Sequence, residues 1–199
     1  MFVIDNSGFS GANAQYWSVL KTGLTGFVSR IDQQYPISQS GTHVAAILYS
    51  QQASTAFSLL QYTDLNGVIN GLNALQTADN AYSNAALGLD QTYSELTANS
   101  RPNPTRRIVI HITNSRFDNV QNAVLSANRV KALFAPYNPC LFPVAILPDI
   151  DLDESRQIAT DPSTVVAIQP TATNDLVTPL FNQLTRCFCN VGGQGQYNL

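Results

Sequence analysis

With 199 residues, 44% of them hydrophobic and only 12% charged, the chain has enough apolar sequence for one buried core. Its share of charge is about half that of an ordinary globular domain. A formal charge of −3, with Arg106-Arg107 as a basic pair at a strand entry, offers no footprint for nucleic acid. No apolar run approaches the roughly 18 residues of a membrane-spanning helix, which excludes membrane insertion of that kind.

The chain opens on Met1-Phe2-Val3-Ile4, a short buried strand, and runs into Asp5-Asn6-Ser7-Gly8-Phe9-Ser10-Gly11. Apolar residues then recur at helical spacing over 14–33, and Pro36 and Gly41 mark a loop. His43–Tyr49 and Ala53–Tyr62 read as two strands joined by Ser50-Gln51-Gln52, a hairpin. Helices are expected over 64–74 and 81–98, the second ended by Pro102 and Pro104. Arg107–Thr113 is nearly continuously apolar, the pattern of a strand buried on both faces. A helix over 121–134, a strand over 141–147, a helix over 152–159, a strand over 164–168 and a closing helix over 174–184 complete the series. Asp161-Pro162-Ser163 supplies the turn between the last helix–strand pair. Alternating strands and helices predict an α/β fold, a mostly parallel central sheet with one antiparallel edge strand and helices on both faces.

A strand that ends in a carboxylate, a hydroxyl and glycines is where open α/β sheets place ligands, and such oxygens suit hard cations such as Mg²⁺. The other candidates carry less chemistry. His111, between Ile110 and Ile112, reads as a core residue, and His43 as a surface residue at a strand start. Ser7 lacks the G-x-S-x-G elbow of a nucleophile, and Gly192-Gly193-Gln194-Gly195 has neither the preceding strand nor the lysine of a phosphate loop. Asp149, Asp151, Asp153 and Glu154 form an acidic loop whose carboxylates favour the start of a helix. No catalytic constellation results. Cys140, Cys187 and Cys189 are odd in number and are followed by a Gly-rich exit, which favours a disulfide of open pairing in a piece of a longer secreted chain. The expected domain is 1–187, with 188–199 a Gly-rich tail or linker.

Taken together in order and spacing, Phe2–Ser7, His43–Ser50 with Thr55–Leu59, Asp79–Leu87, Ile108–Ser115 and Glu154–Pro162 resemble the von Willebrand factor type A (vWA) domain, including the integrin inserted domains. The resemblance covers nearly the whole chain and implies a Rossmann-like three-layer sandwich. It also implies a metal-ion-dependent adhesion site: an Asp-x-Ser-x-Ser loop, a Thr entering the third helix, and an Asp after the central strand. Asp5 and Ser7 match the first two ligands. The second serine falls on Phe9, with Ser10 adjacent; the threonine falls on Ala81, with Ser83 two residues on; the distal aspartate falls on Asn114. One carboxylate in place of two leaves a degenerate site, and Mg²⁺ is expected to bind weakly or not at all. Phe9, Tyr82, Arg116 and Phe117 are expected on loops at the same end, either as exposed ligand-contacting residues or filling the space vacated by the metal. The resemblance thus implies a non-catalytic adhesion or ligand-recognition module of a multidomain extracellular protein, binding a protein or glycoprotein partner. The alternative is a structural module that self-associates or packs against neighbouring domains.

Overall fold

The computed structural model describes residues 1–9, 13–79, 82–103, 105–146, 150, 152–168 and 174–189. In chain order these form β1 (Phe2–Asp5), α1 (Ala14–Gln34), β2 (Ala46–Tyr49), β3 (Ala53–Phe57), α2 (Leu65–Asn73), α3 (Ala85–Asn99) and β4 (Ile108–Thr113). There follow α4 (Val120–Lys131), β5 (Cys140–Ala145), α5 (Leu152–Ile158), β6 (Val166–Ala167) and α6 (Asn174–Cys189). The six strands make one sheet in the order β3-β2-β1-β4-β5-β6. All pairs are parallel except β2–β3, the hairpin at the edge. This is the α/β architecture expected.

Alternation along the strands builds two cores. Phe2, Ile4, Ile110, Ile112, Phe142 and Val144 face α1, α2 and α6. Val3, Ile47, Tyr49, Val109 and Leu141 face α3, α4 and α5. Parallel strands covered on both sides must be apolar at every position, which is why β1 and β5 carry almost none of the period-two pattern of a half-exposed strand. Helix starts are fixed locally: Asp64, Asn84 and Asn119 accept from the backbone N–H three residues on, at 2.8, 3.3 and 2.9 Å, capping α2, α3 and α4.

Several boundaries differ from expectation, each for a physical reason. The second strand starts at Ala46 rather than His43, because Thr42 and Ile37 form a bridge of their own. The third ends at Phe57: Tyr62 lies beyond it and packs on the Phe57 ring at 5.3 Å. The third helix starts at Ala85 rather than 81, where Asn84 caps it. The expected strand over 164–168 shrinks to Val166–Ala167, because Pro162–Thr164 makes a 3-10 turn capped by Asp161. The closing helix, expected over 174–184, runs on through Cys189, and 190–199 lie outside the described residues. Cys140 and Cys187 form a disulfide, with Cα atoms 5.9 Å apart, tying the start of β5 to the end of α6.

Candidate functional site

The carboxyl ends of β1 and β4 bring together Asp5, Ser7, Ser83, Asn114 and Ser115. Asp5 ends β1 fully buried, and its carboxylate is the hub. Oδ1 accepts from the Ser7 backbone N–H at 3.0 Å and from Ser7 Oγ at 2.6 Å. Oδ2 accepts from Ser83 Oγ at 2.6 Å and from Ser115 Oγ at 2.8 Å. Burial outweighs these four bonds and holds the Asp5 pKa above its ordinary value. Ser83 reaches the site because its own segment is pinned: Asn84 N–H donates to Ser50 O at 3.0 Å, and Ser83 O accepts from Asp118 N–H at 3.0 Å.

Asn114 is buried and turns its amide N–H₂ onto Ser7 O, leaving Oδ1 without a partner. The close approach depends on Gly8. That residue has φ +68°, and a Cβ built there would lie 3.4 Å from Asn114 Nδ2. Beneath the hub, the Tyr49 hydroxyl sits beside Ser83 and Thr113 outside strict hydrogen-bond geometry, its pKa raised by burial and by the Asp5 charge. The Tyr49 ring stacks on His111 (5.3 Å, 22°), and His111 meets Phe117 edge-on (5.5 Å, 88°). Both His111 ring nitrogens are buried without partners, and burial lowers its pKa to about 3.

The structure therefore unites Asp5, Ser7, Ser83 and Asn114 and adds Ser115, which sequence reasoning missed. Its signal was available: a hydroxyl directly after Asn114, at the carboxyl end of the strand that pairs with β1. Ser10 and Ala81 lie outside the described residues. Phe9 and Phe117 take the inward of the two roles open to them. Phe9 is buried against Trp17, ring centroids 4.9 Å apart, and Phe117 is buried under the His111 edge, its N–H donating to Glu154 Oε2 at 2.8 Å. Apolar rings at strand ends next to a core gain more from burial than from display. Tyr82, 55% exposed, and Arg116 remain at the surface. Of the acidic loop, Asp153 pairs with Arg156 at 2.5 Å and Glu154 holds Phe117; Asp149 and Asp151 lie outside the described residues.

Divalent-metal chemistry can be tested on this donor set. It contains one carboxylate, already accepting four hydrogen bonds, and an amide where a second carboxylate would stand. Among the described residues, no three His, Cys, Asp or Glu side chains come together as metal ligands. Mg²⁺ demands near-octahedral oxygen ligation and gives up water reluctantly, so these residues do not fit a tightly held divalent ion.

A sequence model of the von Willebrand factor type A domain matches residues 1–181, and the chain belongs to that family. Comparison with curated protein sequences finds no match. Among solved structures, proximal thread matrix protein 1 (PTMP1) of the mussel byssus superposes with a TM-score of 0.78 at 18% identity, over 94% of this chain and 46% of that one. A second structure of that protein has a zinc-occupied MIDAS motif, with a TM-score of 0.79 at 17% identity over 92% and 46% of the two chains. Manganese-loaded TRAP of Plasmodium vivax gives 0.70 at 16% identity, over 92% and 71%. The vWF domain of the type V pili tip protein Mfa5 of Porphyromonas gingivalis gives 0.72 at 10%, over 99% and 96%. These likenesses show a shared fold, and the chain spans about half the length of the mussel protein.

Proposed function

We propose that this domain is a non-catalytic adhesion or ligand-recognition module of a larger extracellular protein, and that its recognition face works without a tightly held divalent ion. Family membership and relatives named as a byssus matrix protein and a pili tip protein support the adhesive reading. The single observation behind metal independence is the Asp5 hub. Three serine hydroxyls and one amide N–H satisfy a buried carboxylate that a cation would otherwise neutralise, and Asn114 supplies no second charge. The face presents Tyr82 and Arg116, residue types that anchor protein contacts.

Calorimetric titration of Mg²⁺, Mn²⁺ and Zn²⁺ into the domain, with Asp5→Ala as control, tests this. No saturable heat is expected with any of the three. Binding at micromolar ion concentrations that disappears in Asp5→Ala would overturn metal independence.

The second reading, a self-associating structural module, is favoured by Leu87 and Leu125, large apolar residues exposed on α3 and α4. It predicts a concentration-dependent shift in sedimentation velocity that Leu125→Lys removes. A monomer at all concentrations excludes it.

A further inference from the structure

At the opposite end of the sheet, the amino ends of β1 and β4, lies a cavity of about 330 Å³. Its wall is apolar: Phe2, Ile110, Phe27, Val28, Ile31 and Leu184, from two strands, α1 and α6. The volume falls within the range of small-molecule sites, roughly 300–1,000 Å³. Its rim is basic. Arg101, Arg106 and Arg107 all line it, in a chain whose Lys and Arg number 10 and whose formal charge is −3.

Arg107 is only 6% exposed, yet none of its partners is acidic. Its guanidinium donates to Ser100 Oγ at 2.5 Å, Asn103 Oδ1 at 3.0 Å, Thr105 O at 2.8 Å and Arg101 O at 2.5 Å, with the Phe134 ring beneath it at 3.7 Å. Arg101 donates to Ser40 O at 2.6 Å, and the charges of Arg101 and Arg107 repel. Elsewhere arginines find carboxylates, Arg129 on Asp90 and Arg156 on Asp153. A buried cation is ordinarily paired, because desolvating an uncompensated charge is costly. Two adjacent guanidiniums over an apolar cavity present a charge without a counterion and a volume without a side chain.

We propose that this cavity binds a free medium-chain fatty carboxylate, with its alkyl chain between α1, α6 and the sheet and its carboxylate on Arg101, beside the charge of Arg107. The Arg101 fork, which among the described residues donates to Ser40 O alone, suits a carboxylate, and the wall is mostly hydrocarbon, with Tyr35, Thr42, His43, Ser100 and Thr105 as its polar members. The site lies at the far end of the strands from Asp5 and stands or falls independently of the recognition face.

The test is titration of sodium decanoate, below its micelle-forming concentration, into the whole domain, followed by calorimetry. Decanol, decyltrimethylammonium and anionic phospholipid vesicles form the comparison arms. Decanoate is expected to saturate one site, with decanol and the ammonium binding far more weakly. Arg101→Gln, at a half-exposed position, should bind decanoate about tenfold more weakly with an unchanged melting temperature. Equal affinity for decanoate and decanol would overturn the proposal by showing no recognition of charge. So would binding to vesicles alone, or no saturation with decanoate.

Discussion

His111 is the residue at which burial is least compensated. It sits between the Tyr49 and Phe117 rings with neither nitrogen bonded, and its pKa falls to about 3. In the unfolded chain an imidazole takes up its proton near pH 6.5. On acidification the unfolded state therefore binds a proton that the folded state refuses. Stability is fully present above about pH 6.5 and declines toward pH 3, by at most about 1.4 kcal/mol per pH unit. Asp5 works with the opposite sign: its raised pKa lets the folded state bind a proton more readily than the unfolded chain, so acid favours folding there. Comparing wild type with His111→Phe separates the two. Urea midpoints measured from pH 7 to pH 4.5 are expected to fall less steeply in the variant, and parallel curves would show that His111 does not titrate on unfolding. Asn114, Ser83 and Ser115 show how far single residues could be read from sequence. Asn114 and Ser83 were identifiable only through the position-by-position resemblance to the vWA metal site. Which hydroxyls Asp5 gathers depended on the β1–β4 register and on the Ser83 anchor to Ser50 and Asp118, and local sequence encodes neither.

Among the elements, the helices and strands were legible wherever periodicity ran long, as in α1, or apolarity was continuous, as in β4. Legibility failed at the ends, where side chains decide by capping: Asn84 delays α3, and Asp161 turns the expected last strand into a 3-10 turn. For Phe9 and Phe117 the loop positions left display and inward packing equally open, and neighbouring Trp17 and His111 draw them inside. The pairing of Cys140 with Cys187 was likewise left open by the sequence, because it depends on α6 running back past β5. That bond closes a loop with a sequence separation of 47. Restricting the unfolded chain in this way is worth about 4 kcal/mol. The double variant Cys140→Ser/Cys187→Ser is expected to melt about 10 °C lower by calorimetry. A melting temperature unchanged by the substitution would mean that the α1–α6 packing alone holds the last helix.

At the scale of the molecule, the sheet separates two chemistries by its length. Carboxylate, hydroxyls and amide collect at the carboxyl ends of the strands, and guanidiniums with an apolar cavity at the amino ends. The fold class and the carboxyl-end site followed from the order of strand and helix signals. The cavity did not, because Phe2, Phe27, Ile31, Ile110 and Leu184 each read as ordinary core and only their three-dimensional arrangement leaves a volume between them.

A domain that adheres, as proposed above, is pulled as well as bound, and the staple decides where tension runs. Force applied through Cys187 crosses the sulfur bridge to Cys140, the first residue of β5, and leaves along the chain that precedes it. The segment between the two cysteines is bypassed and carries no load. About 160 Å of contour, with β5, α5, β6 and most of α6 in it, is thereby withheld from extension, and α6 stays seated on α1.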